Sequence, residues 1–114
     1  MEITSKLVND TLLATVEASR IDSAVTVQFK ETMRQIASTK SARVVLDLSR
    51  VTFLDSSGLG AVVGVMKFLG PERKLEVAGL TANVAKVFSL TRMDTVFRIH
   101  NSALDALAAS EGTA

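Results

Sequence analysis

The period of apolar and polar positions changes several times along the chain, and each change marks an element. Ile3 to Val8 and Leu12 to Glu17 are apolar-rich runs flanking Asn9-Asp10-Thr11, a turn composition, and together they predict a β-hairpin. Ala18 to Asp22 reads as a loop, with Asp22 or Ser23 capping the helix that follows. In that helix Val25, Phe29, Met33 and Ile36 recur at helical spacing, and it should end near Thr39. Val44 to Leu48, β-branched and Leu throughout, reads as a buried strand. Leu59, Val62, Val63 and Met66 then fall at i, i+3, i+4 and i+7, so they share one helix face, and Gly70-Pro71 stops that helix. Lys74 to Gly79 alternates as a fourth strand, and Thr81 caps a helix with Val84, Val87 and Phe88 inward. Thr95 to Ile99 reads as a fifth strand, and Ser102 caps a last helix carrying Leu104, Leu107 and Ala108. Residues 110–114 are expected to be a frayed tail.

This order, β-β-α-β-α-β-α-β-α, predicts an α/β fold. An N-terminal hairpin leads into alternating strands and helices, giving a mixed five-stranded sheet with about four helices in one domain over residues 1–114. In such sheets functional groups collect at the carboxyl ends of the strands. Asp55-Ser56-Ser57-Gly58 follows the third strand and opens the central helix.

Composition narrows the function. Hydrophobic content of 47% and charged content of 22% exclude a disordered chain. A net charge of +1, from 13 basic and 12 acidic residues, argues against a broad nucleic-acid or anionic-membrane surface. With no Trp or Tyr there is no platform on which bases could stack. The absence of cysteine rules out disulfides and thiolate metal sites, and the one histidine, His100, reads as a surface or capping residue. Neither a Gly-x-x-x-x-Gly-Lys-Ser/Thr loop nor Gly-x-Gly-x-x-Gly occurs, so no cofactor is expected. Ser56, His100 and an aspartate could be drawn as a triad, but Asp-Ser-Ser-Gly is not the Gly-x-Ser-x-Gly elbow of hydrolases. The N-terminus lacks the order of a signal peptide, and the apolar run Leu59 to Leu69 contains Lys67 and is too short to span a bilayer. The expectation is a soluble intracellular protein without direct membrane insertion.

The chemistry therefore concentrates at the start of the central helix. A helix N-terminus has unpaired N–H groups and a partial positive charge, so it seats a hydroxyl, carboxylate or phosphate well. Asp55, Ser56 and Ser57 are, on local grounds, plain capping residues. The face opposite the core stripe points further: Ser57, Gly60, Ala61, Gly64 and Phe68 make it small, apolar and aromatic. Two glycines inside a helix cost roughly 1 kcal/mol each against alanine, which a close approach can offset. Such a face reads as a docking surface, or as one covered by another part of the chain.

Val45 to Gly60 closely resembles the signature of the STAS domains of bacterial anti-sigma factor antagonists, with strand, linker, Asp-Ser-Ser-Gly-Leu and apolar helix in order. Asn83 to Phe88 resembles the family's Val-x-x-x-Phe helix. The resemblance implies the STAS fold and a cytoplasmic, non-enzymatic role. Family members bind an anti-sigma factor that is also a serine kinase, and so free the sigma factor. The kinase, which brings its own ATP, phosphorylates the first serine after the signature Asp, here Ser56, and a PP2C-type phosphatase reverses this. The implied partner-binding residues are Asp22, Asp55, Ser56, Ser57, Gly58, Gly60, Ala61, Gly64 and Phe68. Two departures stand out: the family's Gly-Glu-Leu/Ile-Asp loop reads Ser19-Arg20-Ile21-Asp22, reversing one charge, and its Ser-Gly-Leu reads Thr91-Arg92-Met93. Alternatives are a STAS subunit of a phospholipid-transport ATPase, a partner-switching regulator with a non-sigma output, and a nucleotide-binding module.

Overall fold

A computed structural model describes residues 1–109; the expected frayed tail, residues 110–114, lies outside them. In chain order the elements are β1 (Ile3–Val8), β2 (Thr11–Val16), β3 (Arg20–Ile21), α1 (Thr26–Ile36), β4 (Arg43–Asp47), β5 (Phe53–Leu54), α2 (Ser56–Leu69), β6 (Lys74–Ala78), α3 (Ala82–Leu90), a 3-10 turn (Met93–Thr95), β7 (Ile99–His100) and α4 (Ala103–Ala108). β1 and β2 form the expected antiparallel hairpin. Asn9 takes a left-handed conformation at φ 55, which asparagine tolerates, so the turn closes in two residues and Thr11 already belongs to β2. β4, β6 and β7 then add in parallel, giving a five-stranded mixed sheet in the order β1-β2-β4-β6-β7.

Alternation sorts the strand residues onto two faces. Leu12, Ala14, Val16, Val44, Leu46, Leu75 and Val77 point to one side. There they meet Phe29 and Met33 of α1, Val62 and Val65 of α2, and Val84 and Phe88 of α3. Leu13, Val45 and Ala78 point to the other side, where Ala106 of α4 covers them.

Several boundaries differ from those read in the sequence. The 18–22 loop contains a short strand, β3, which pairs in parallel with β5. Two residues are too few to show a period. Asp22 does not cap α1, whose N-cap is Val25. It closes the preceding turn instead: its Oδ1 accepts from the Ala24 N–H at 3.1 Å, and its carbonyl from the Val25 N–H at 3.0 Å. α1 stops at Ile36, and the N–H groups of Ser38 and Thr39 bond to Gln35 and Ile36 carbonyls in a closing turn. Thr81 is the N-cap of α3, but its hydroxyl donates to the Val51 carbonyl at 2.7 Å and so ties α3 to the loop after β4.

The fifth strand lies later than the expected 95–99. Arg92 turns the chain at φ 65, Met93 to Thr95 form the 3-10 turn, and Phe97 packs edge-on against Phe88 at 5.8 Å. Only Ile99 and His100 then reach β6. Ser102 caps α4 as expected, accepting from the Asp105 N–H at 3.0 Å. Leu104 is 79% exposed, however, and Ala106 takes the buried position.

His100 is not at the surface. It is 8% exposed, and its Nε2 lies 2.7 Å from Glu76 Oε1. Arg43 donates twice to the same carboxylate, from Nη2 at 2.7 Å and from Nε at 3.0 Å. Arg43 also donates to the carbonyls of Ala106 at 2.9 Å and Ala109 at 3.1 Å, so it closes the end of α4. The physical reason is the cover that α4 provides, which makes the second sheet face an interior. Polar residues caught there must satisfy one another. Burial alone would push the Glu76 carboxyl up, but hydrogen bonds and charge from Arg43 and His100 hold it below its ordinary 4.5.

Candidate functional site

The α2 N-terminus is assembled by two segments far apart in sequence. Asp55 is in extended conformation at the N-cap, and its Oδ1 accepts from the Gly58 N–H at 2.8 Å. That satisfies one of the donors a helix start leaves open. β5 delivers Asp55 and Ser56, and β3 lies alongside it with Arg20 opposite Phe53 and Ile21 opposite Leu54. Asp22 and Asp55 are the residues that follow this pairing on the two strands, and Asp55 opens the helix.

Gly58 is required here by contact. A Cβ on it would stand 2.0 Å from the Ile21 carbonyl oxygen and 2.8 Å from Leu54 Cδ1. The first turn of α2 therefore lies flat against the end of β3. Ser56 and Ser57 sit on the open side of the same turn. Both are exposed, and neither hydroxyl makes a hydrogen bond to any described residue.

The partner-binding residues read from the sequence divide into two groups. Ser56, Ser57 and Gly60 are exposed, and a Cβ on Gly60 would meet nothing within 4 Å. Asp22 and Asp55 are half-buried beside them. Gly58 and Ala61, by contrast, are buried, Ala61 to 3% exposure, so neither offers a surface. Gly64 and Phe68 lie at the seam where α1 packs on α2. Lys30 Cδ would stand 3.3 Å from a Cβ on Gly64, and the Arg34 guanidinium lies 4.5 Å above the Phe68 ring. The small face of the helix is thus partly covered from within the chain at Gly64 and Phe68, one of the two readings its composition left open. The small residues admit α1 in place of a partner. The core stripe shifts correspondingly: Val65 and Leu69 are buried, while Val63 and Met66 are only partly so.

The sequence did not point to Phe53. It is 39% exposed, and the Arg20 guanidinium stacks 4.1 Å above its ring while Arg20 Nε donates to Asp22 Oδ2 at 3.3 Å. An aromatic residue two places before the signature Asp was the available signal, but its partner comes from β3, which has no periodic trace. The open rim therefore consists of Ser56, Ser57 and Gly60 on α2, bordered by Arg20, Phe53 and Asp22. Among the described residues no group of three or more His, Cys, Asp or Glu could hold a metal ion. No helix among them is long and apolar enough to cross a membrane.

The chain resembles known proteins over most of its length. The family model described as STAS domain matches residues 5–106. An anti-sigma-B factor antagonist of Listeria monocytogenes is 28% identical over 85 residues, which is 74% of this chain and 75% of that protein. The crystal structure of an anti-sigma factor antagonist from Mycobacterium paratuberculosis superposes with a TM-score of 0.83 at 22% identity, covering 94% of this chain and 91% of the other. The anti-sigma factor antagonist SpoIIAA in its unphosphorylated form gives 0.74 at 18% identity, covering 99% of both chains. Its phosphorylated form gives 0.66 at 18% identity, covering 94% of this chain and 97% of the other.

Proposed function

The chain belongs to the STAS domain family, and from that premise we propose that it is an anti-sigma factor antagonist switched by phosphorylation of Ser56. In the unphosphorylated state it binds an anti-sigma factor that is a serine kinase, and the sigma factor is released. The partner's ATP supplies the phosphoryl group. Ser56 Oγ bonds to the γ-phosphorus, the bond to ADP breaks, and the hydroxyl proton leaves. A PP2C-type phosphatase hydrolyses the phosphoserine and restores the binding form. The protein has no catalytic residue of its own in this cycle, which runs in the cytoplasm.

One observation carries the reading. Ser56 is the first residue of α2, exposed, with a hydroxyl uncommitted to any described residue, while the neighbouring Asp55 does the capping. A serine needed only as a cap would hold that bond itself. The modification adds a charge of about −1.5 to −2 beside a helix start that tolerates anions, so the domain keeps its fold. A partner seated on Ser56, Ser57 and Gly60 would have to desolvate that charge and meet the carboxylates of Asp22 and Asp55 with it. The complex fails where the domain does not.

The test is a pull-down from lysate of the cells that make the protein, using wild type and Ser56→Asp, read by mass spectrometry. A serine-kinase protein recovered by wild type should be lost with Ser56→Asp. The loss should be at least about tenfold, since an unpaired like charge in an interface costs ~1.4 kcal/mol or more. Equal recovery of a membrane ATPase by both proteins, with no kinase, would instead assign the chain to a transport complex and leave Ser56 a surface residue.

A further inference from the structure

The rim beside Ser56 carries a cation whose neighbours leave it ready to move. Arg20 lies on β3, and its side chain reaches forward along the strand to Asp22, two residues on. β3 runs parallel to β5, so forward is also the direction in which β5 leads into Asp55 and Ser56. With strands about 4.8 Å apart and a rise of about 3.3 Å per residue, Arg20 and Ser56 are about 11 Å apart at most between Cα atoms. An arginine and a phosphoserine side chain span that gap together.

Arg20 is weakly committed. Its side chain is 58% exposed, and its contact with Asp22 is a long one at 3.3 Å through Nε. Its two terminal nitrogens make no hydrogen bond to any described residue. The Phe53 ring lies 4.1 Å beneath the guanidinium and supports it from that side. An exposed carboxylate–guanidinium pair of this kind is weak. A phosphate dianion offers more charge and a geometry that two guanidinium N–H groups match at once.

We propose that Arg20 is the receiving group for a phosphate on Ser56: its guanidinium gives up Asp22 Oδ2 and pairs with the phosphate oxygens, still supported by the Phe53 ring. The inference rests on the reading of Ser56 as the modified residue and adds the group that answers the modification. It carries the change beyond one side chain. Asp22 loses its counter-charge, Arg20 turns towards α2, and the β3–β5 part of the rim is altered along with the serine.

The test needs no kinase. Phosphoserine is installed at position 56 during translation, in wild type, Arg20→Ala and Arg20→Lys, and each is titrated by 31P NMR. The groups facing the phosphate are Arg20, Asp22, Asp55 and the α2 N-terminus. All but Arg20 are common to the three proteins and cancel in the comparison. The wild-type midpoint should lie below that of Arg20→Ala by about half a pH unit or more, with Arg20→Lys between. Equal midpoints in wild type and Arg20→Ala would overturn the proposal. Because the phosphate is supplied by synthesis, a lowered midpoint stands even if no kinase is captured. An equal midpoint leaves the pull-down result untouched.

Discussion

Gly58 and Gly60 are two residues apart in one helix, and replacing each with alanine should move stability in opposite directions. Alanine is the better helix former by about 1 kcal/mol at either place. At Gly60 nothing stands within 4 Å of the new methyl, so Gly60→Ala should gain about 0.5–1 kcal/mol. At Gly58 the methyl would stand 2.0 Å from the Ile21 carbonyl oxygen and 2.9 Å from its carbon. Ile21 is fully buried and paired with Leu54, so this backbone cannot step aside cheaply. Overpacking costs about 1–3 kcal/mol and sometimes more, and a clash on backbone belongs at the upper end. Gly58→Ala should therefore lose about 2 kcal/mol net of the helix gain. At roughly 4 °C per kcal/mol for a domain of this size, its Tm should fall by about 8 °C and that of Gly60→Ala rise by about 2–4 °C. The chain has no Trp or Tyr, so urea and thermal unfolding are best followed by far-UV circular dichroism. Two shifts of the same sign, or a neutral Gly58→Ala, would refute the placement of α2 against β3. Gly60→Ala also puts a methyl on the open rim, so a variant more stable yet weaker in partner capture would mark that surface.

Asp55→Ala removes the cap on α2 and should cost about 1 kcal/mol in urea unfolding, with Asp55→Asn losing much less; equal losses would mean that charge, not capping, is what matters at this position. Glu76 gives stability an acid dependence. Its folded carboxyl lies below the ordinary 4.5, so its contribution is complete above that value and is lost as pH falls through the folded one. The wild-type urea midpoint should thus decline below about pH 4.5 more steeply than that of Glu76→Gln; parallel profiles would show that the Arg43–Glu76–His100 group is not what acid breaks.

What was legible in the sequence followed from period and punctuation. The hairpin, the buried run at β4, the stop at Gly70 and the alternation of β6 each have several consecutive residues stating one preference, and the structure places them within a residue or so. What was not legible depended on partners distant in the chain. β3 and β5 exist only because they pair with each other, and each is too short to show alternation. Gly64 and Phe68 looked like an open face because sequence spacing does not say that Lys30 and Arg34 lie over them. His100 looked superficial because one short helix, with Ala106 as its buried residue, gave little sign of covering a sheet face. Charged residues within the otherwise apolar runs at Arg43 and Glu76 were the overlooked clue: opposite charges at inward strand positions call for each other. The serine motif was readable because its elements are contiguous, whereas its rim, contributed by Arg20 and Phe53, was not.

The strand order β1-β2-β4-β6-β7 rises without a break along the chain. A polypeptide synthesised from its N-terminus can therefore lay down this sheet in one sweep, each new strand docking on the last one placed, with no strand inserted between two already paired. The Arg43–Glu76–His100 group runs against this schedule. Arg43 and Glu76 are in position once β6 has joined β4, but they remain open to water until His100 and the two α4 carbonyls arrive. The nascent sheet thus presents a solvated charge pair on the face it has yet to cover, and emergence of the last helix converts that pair into an interior one.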